Sequence, residues 1–230
     1  MINKRIVVVG ASRGIGAALV EQFHVEPGNE ILALSRNFSE LEKKFGTKDR
    51  IRIAGFDLAE NVRHQAEHVF SDFGTIDILI NNAGFLVNKP FEQLDHQDMT
   101  NSYQVNVIGV METVQAALPF LNPTGAHIVN ISSMGGFQGS VKFPGLAAYS
   151  TSKAALCSFT ELFAEEYKET AIKMNCLCLG AAQTEMLEAA FPGYQAPVSA
   201  SEMAEFIADF ALNGARWING KIIPVSLSTP

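Results

Sequence analysis

The chain has 230 residues, 47% of them hydrophobic, which is enough for one large α/β domain with a sizeable core. Its 17 Lys and Arg against 24 Asp and Glu leave a net charge of −7, which argues against nucleic acid or an anionic membrane as the main partner. The uncharged apolar runs are too short for a transmembrane helix, and the chain enters a strand-like run with no charged-then-apolar leader, so a cytoplasmic protein is expected.

Ile6-Val7-Val8-Val9 is a continuous β-branched run ended by Gly10. Continuous rather than alternating apolarity predicts a strand buried on both faces, and hence a parallel sheet. Gly10-Ala11-Ser12-Arg13-Gly14-Ile15-Gly16 follows, then a helical pattern through Leu19, Val20 and Phe23 that ends before Pro27-Gly28. Strand, glycine-rich turn and helix together suit a dinucleotide pyrophosphate. Gly10 permits the tight turn, Gly14 lets the backbone approach the phosphates and Gly16 allows close helix packing. The helix N-terminus then offers free N–H groups and a positive dipole end.

Glu30 to Leu34 reads as a second strand, followed by Ser35-Arg36-Asn37. No acidic residue stands where one would hold an adenosine ribose. Arg36 is there instead, with Arg13 in the glycine turn, and two guanidiniums can grip a 2′-phosphate. The alternative is a pair of solvated surface arginines. Ser39 to Phe45 is a short helix, Ile51 to Ala54 a third strand, and Asp57 follows it. Asp57 suits either an adenine amino group or the cap of a helix beginning near Glu60. That helix, to Phe73, carries His64 and His68 at zinc-compatible spacing, but without H-E-x-x-H they read as a solvated face.

Ile76 to Ile80 is a fourth strand running into Asn81-Asn82-Ala83-Gly84. Small residues there suit close packing on a cofactor, and Asn81 could tie strand ends together. A long helix is expected from His96 to Phe120, with Asn106 inside an apolar stretch. A buried Asn needs a partner: either a kink with a bound water or a hydrogen bond to a neighbouring helix.

Ala126 to Ile131 is a fifth strand ending at Ser132-Ser133, and a glycine-marked loop runs through Pro144-Gly145. Tyr149 opens a helix to about Lys168, with Lys153 one turn on. An ammonium beside a phenol favours phenolate, so Lys153 is expected to lower the Tyr149 pKa and suit it to proton transfer. Ala171 to Leu179 is a sixth strand, and Gly180-Ala181-Ala182-Gln183-Thr184 reads as another ligand-facing turn. Glu185 to Val198 is irregular, a candidate mobile lid. Ser201 to Leu212 is a helix and Lys221 to Val225 the last strand. Cys157, Cys176 and Cys178 are the only cysteines. With no His or further Cys close to the Cys176/Cys178 pair in sequence, they read as buried thiols in a reducing compartment, not as a metal site. With no repeat or linker, the fold class is α/β, one Rossmann-like doubly wound domain of about seven parallel strands over residues 1–230.

These motifs together resemble the short-chain dehydrogenase/reductase family, over Ile6 to about Val225. The resemblance rests on Gly10-x-x-x-Gly14-Ile15-Gly16, Asn81-Asn82-Ala83-Gly84, Asn106, the Ser133 loop and Tyr149-x-x-x-Lys153. It implies catalytic roles for four residues. Tyr149 would be the acid/base, and Lys153 would hold the nicotinamide ribose. Ser133 would bond the substrate oxygen, and Asn106 would hold a water in a proton relay. It implies NADP(H) contacts from Gly10, Ser12, Arg13, Gly14, Ile15, Gly16 and Arg36. Further contacts are implied from Asp57, Leu58, Asn82, Ala83, Gly84, Gly180, Ala182 and Thr184, besides Tyr149 and Lys153. The expected reaction is hydride transfer between NADP(H) and a carbonyl or secondary alcohol, in a homodimer or homotetramer. The alternative is a non-catalytic dinucleotide-binding regulator or scaffold. Phe85, Phe137, Phe143, Met186, Leu187, Phe191 and Tyr194 would line an apolar site, or equally belong to the core. Three features depart from the family pattern: Leu179-Gly180 stands where Pro-Gly is usual, Ser133 and Tyr149 are sixteen apart, and the segment before the last helix is short.

Overall fold

A computed structural model describes residues 3–227. Seven strands form one sheet in which every pairing is parallel. They are β1 (Arg5–Val9), β2 (Glu30–Ser35), β3 (Ile51–Gly55), β4 (Ile78–Asn81), β5 (Ala126–Ser133), β6 (Ile172–Leu179) and, as the last edge, β9 (Ile222–Val225). The order is β3-β2-β1-β4-β5-β6-β9, so the chain reverses direction across the sheet between β1 and β4. Ligands of such sheets bind outside the carboxyl ends of the strands at that crevice. Two short strands, β7 (Ala182–Gln183) and β8 (Val198–Ser199), pair separately.

Helices cover both faces. Ile6 and Val8 point to one side, with α1 (Gly14–His24), α2 (Phe38–Phe45) and α8 (Ala200–Asn213). Val7 and Val9 point to the other, with α3 (Val62–Phe73), α5 (Gly109–Ala117) and α6 (Ala147–Glu166). This double burial is why the Ile6–Val9 run is apolar throughout instead of alternating. These six helices contribute apolar stripes at helical spacing, such as Val62, Ala66, Phe70 and Phe73 of α3.

The long helix differs from its sequence reading. It begins as α4 (His96–Tyr103), capped reciprocally by Asp95 and Asp98, and passes through a π turn (Gln104–Ile108) before α5. The fourth strand starts at Ile78, and Ile76 forms only an isolated bridge to Leu121. Glu185 to Val198 is more ordered than expected. It holds α7 (Glu185–Ala190), capped by Thr184, and then β8. His64 and His68 are exposed on α3, as expected of a solvated face. Among the described residues, no helix is long and apolar enough to cross a membrane.

Candidate active site at the strand ends

The glycine turn locks onto the segment after β4. The Gly10 and Ala11 N–H groups both donate to the Leu34 carbonyl, at 2.8 and 3.0 Å. Asn82 and Ala83 N–H groups donate to the Val9 carbonyl, and the Asn82 amide donates to Gly10 O at 2.9 Å. Gly10 has φ +87°, and a Cβ on it would lie 2.6 Å from Ala83 backbone atoms. A Cβ on Gly16 would lie 2.0 Å from Gly10 O. Both positions therefore require glycine, as their spacing predicts. The α1 helix starts without a side-chain cap from Arg13, so its first N–H groups remain available to an anionic ligand.

Arg13 and Arg36 are both exposed beside this turn. Their loops are joined by the Ser35 hydroxyl, which donates to Ser12 Oγ at 2.9 Å. Asp57 does not cap a helix, because α3 begins at Val62 and Asn61 precedes it. Its carboxylate instead accepts from the Ala59 N–H at 2.9 Å, and its backbone is pinned by Gln65. Leu58 turns into the core and gives its carbonyl to Gln104 at 3.2 Å. On the other side, Gly180 donates its N–H to the Val225 carbonyl at 2.8 Å, and Ala182 is buried in β7. Thr184 reaches the glycine turn: its methyl lies 3.3 Å from where a Cβ on Gly14 would stand. Its hydroxyl accepts from the Leu187 N–H at 3.2 Å. Gly14, Gln183, Thr184, Glu185 and Glu188 border an open hollow of about 670 Å³.

Ser133, Tyr149, Lys153 and Asn106 converge from three elements. Ser133 ends β5, and its Oγ accepts from the Gly135 N–H at 3.2 Å. Lys153 is 3% exposed and donates from Nζ to the Ile131 carbonyl at 2.8 Å. Nζ stands 6.0 Å from the Tyr149 ring centre. Lys153 Nζ and Asn106 Oδ1 lie 3.4 and 3.5 Å from the point where a Cβ on Gly84 would sit. Asn106 is fully buried in the π turn. Its Oδ1 accepts from the Phe85 N–H at 2.8 Å, and its amide donates to Phe85 O and Ser152 Oγ, each at 2.9 Å. Of the two ways to satisfy it, the bond to a neighbouring helix is therefore present, together with a local distortion of its own.

One electrostatic expectation is reversed. Burial pushes the Tyr149 phenol above its ordinary value, and the nearby Ser133 hydroxyl only partly opposes this. Lys153 is pushed down to about 8, also by burial. Four-residue spacing brings the two groups onto one helix face, but it carries no information about how dry that face is. Desolvation disfavours both charges, and it is the largest cause of each shift.

Several supporting groups carry no sequence signal. Ser152 accepts from Asn106 and donates to the Tyr149 carbonyl at 2.7 Å. The Ser132 hydroxyl donates to the Lys153 carbonyl at 2.8 Å. Asn88 links the rim, its amide donating to Ala190 O at 2.9 Å while the neighbouring Lys89 N–H donates to Gly145 O at 3.0 Å. The Gly139–Gly145 loop therefore packs against the segment after β4. Of the aromatic candidates, Phe85 serves through its backbone, Phe137 packs beside the cysteines and Tyr194 is half exposed.

Known proteins resemble this chain in both sequence and fold. Oxidoreductase BOA17 of Botryotinia fuckeliana is 33% identical over 184 residues, which is 77% of this chain but only 65% of that relative. An uncharacterized oxidoreductase of Staphylococcus epidermidis is 27% identical over 221 residues, covering 94% of each chain. The crystal structure of a short chain dehydrogenase from Burkholderia cenocepacia in complex with NADP superposes with a TM-score of 0.85 at 27% identity, over 97% of this chain and 96% of that one. Residues 4–195 match the short chain dehydrogenase family itself, and the chain belongs to that family of oxidoreductases.

Proposed function

We propose that this chain transfers a hydride between NADP(H) and a carbonyl or secondary alcohol of the ketone or 3-oxoacyl type. The observation that carries this reading is the meeting of Tyr149, Lys153, Ser133 and Asn106 beside a glycine turn that excludes any Cβ at Gly10 and Gly16. That turn and the uncapped start of α1 fit a pyrophosphate. Ser12, Arg13, Ile15 and Arg36 flank the adenosine side. Asp57 and Leu58 follow at the end of β3, and Asn82 to Gly84 and Gly180 to Thr184 lie nearer the nicotinamide side. Bound there, the cofactor supplies or accepts the hydride, and that chemistry is its own.

In the reduction direction, charge builds on the substrate oxygen. Ser133 donates a hydrogen bond to it, and Tyr149 donates the proton. Burial favours the neutral phenol that this step requires. Lys153 holds the nicotinamide ribose, and Asn106 orients the relay that returns a proton to Tyr149. The working protein is a cytoplasmic homodimer or homotetramer.

NADPH oxidation over a panel of ketones and NADP reduction over the matching alcohols test the reading. Tyr149→Phe should abolish turnover while leaving nucleotide affinity nearly unchanged. Turnover retained in that variant removes Tyr149 from the acid/base role. Nucleotide binding without turnover across the whole panel favours a regulator instead. Losing one charge-assisted bond to a phosphate, about 1.5–3 kcal/mol, should make Arg36→Ala roughly 10- to 100-fold poorer in kcat/KM with NADPH and little changed with NADH. Equal losses with both cofactors would show that Arg36 does not read the 2′-phosphate.

A further inference from the structure

The three cysteines that serve no role in the proposed reaction meet in one place. Cys176 and Cys178 alternate along β6 with Leu177 and Leu179, so both thiols face α6 while the leucines face the opposite layer. Cys157 comes down from α6, one turn beyond Lys153. Its sulfur lies 3.5 Å from Cys178 Sγ and 3.9 Å from Cys176 Sγ, and all three sulfurs lie within 4.8 Å of one another. All three side chains are buried, at 8, 0 and 0% exposure for Cys157, Cys176 and Cys178. Met134, Phe137 and Ile222 pack around them.

From this arrangement we infer that Cys157, Cys176 and Cys178 form a three-thiolate site for a divalent d10 cation, with Zn2+ as the physiological ion. Thiolates select soft and borderline-soft cations over the hard ions that carboxylates bind. A Zn–S distance of about 2.3 Å requires sulfurs about 3.8 Å apart at tetrahedral angles and about 4.0 Å apart in a plane. The Cys157–Cys178 and Cys157–Cys176 separations fall within a few tenths of an ångström of these values, and the Cys176–Cys178 pair, within 4.8 Å, closes on the ion from the same strand face. The Ser132 hydroxyl, which accepts from the Cys157 S–H at 3.5 Å, is at hand as a fourth donor. Charge also balances. The cation displaces three thiol protons to solvent and forms three M–S bonds, leaving a net charge of −1. The Lys153 ammonium interacts electrostatically with all three sulfurs and offsets that charge. The site would clamp α6 to β6 directly behind the Tyr149–Lys153 turn, and it is independent of which cofactor or substrate the strand ends hold.

The test uses the full chain, reduced and freed of metal with a chelator, and titrated with Cd2+ alone. Cadmium shares the d10 shell and reports thiolate binding by an ultraviolet sulfur-to-metal charge-transfer band. The expected result is saturation at one Cd2+ per chain, loss of the band on competition with Zn2+, and a thermal midpoint that rises with Cd2+ concentration. Cys157→Ala and Cys178→Ala should each weaken binding by more than the ~10–100-fold that outer-shell changes produce. Cys157→Ser keeps the side-chain shape and serves if the alanine variants do not fold. No band with the wild type, a stoichiometry other than one, or a band of unchanged strength in the Cys157 variants would overturn the inference and leave the thiols as packing. A midpoint unmoved by Cd2+ would do the same without any variant.

Discussion

Lys153 offers a stability test that needs no substrate. It is 3% exposed, and burial lowers it from 10.5 to about 8. At about 1.36 kcal/mol per pH unit, that fall amounts to roughly 3 kcal/mol against the charged form. Below about pH 8 the lysine is protonated in both the folded and unfolded chains, and the folded state bears the whole cost. Between about 8 and 10.5 the unfolded chain binds the extra proton, so stability rises with pH. Lys153→Met removes this term. The comparison is urea unfolding of wild type and Lys153→Met from pH 7 to 10 without nucleotide, keeping below the range where Tyr149, raised by burial, begins to act oppositely. The wild type should gain roughly 2–3 kcal/mol on the variant across that range. The constant offset between the two contains the lost hydrogen bond to Ile131 O and is not the readout. Profiles that stay parallel to within about 0.5 kcal/mol would refute the claim that Lys153 sits dry and strained by its own charge.

Two further substitutions probe the frame around the site. Asn106→Ala strips partners from the Phe85 N–H, the Phe85 carbonyl and Ser152 Oγ in a fully buried position. At about 1–3 kcal/mol for each unsatisfied group, partly relieved by relaxation, a loss of about 2–5 kcal/mol in urea unfolding is expected; a loss below about 1 kcal/mol would mean the π turn re-forms without the amide. Gly136→Ala would place a Cβ 2.7 Å from the Ala154 nitrogen and the Lys153 carbonyl carbon. Helix backbone cannot yield there, so the loop after β5 should shift. Overpacking of this kind costs about 1–3 kcal/mol, and kcat should fall more than KM changes, because Ser133 moves with that loop. An unchanged melting temperature together with an unchanged rate would contradict the clash.

The difference between what could and could not be read beforehand follows from where partners lie in the chain. Strand β1 was legible because Ile6 to Val9 are each buried, on alternate faces of a doubly covered sheet. The glycine turn, the Asn82–Gly84 segment, Ser133 and the Tyr149 helix could be grouped because a parallel sheet sends every strand's carboxyl end to one edge. The buried Asn106 pointed to a local kink or a helix partner, but the form of the distortion was not legible, because the bonds made from within the π turn reach Phe85, 21 positions away. Nor was the order in 185–198, where α7 has six residues and β8 two, and each depends on a cap or a pairing instead of a periodic face. The Tyr149–Lys153 spacing indicates proximity, but the sign of the pKa change depends on burial, which the surrounding layers decide. The cysteines show the same distinction most clearly. Cys176 and Cys178 share a face by simple alternation, while Cys157 joins them from 19 residues back through the packing of α6 on β6. They meet beneath α6, behind the ends of β5 and β6, where Cys178 is in register with Ser132. A site built there can form without leaving a spacing pattern in the sequence, and only the packed structure brings its third thiol into view.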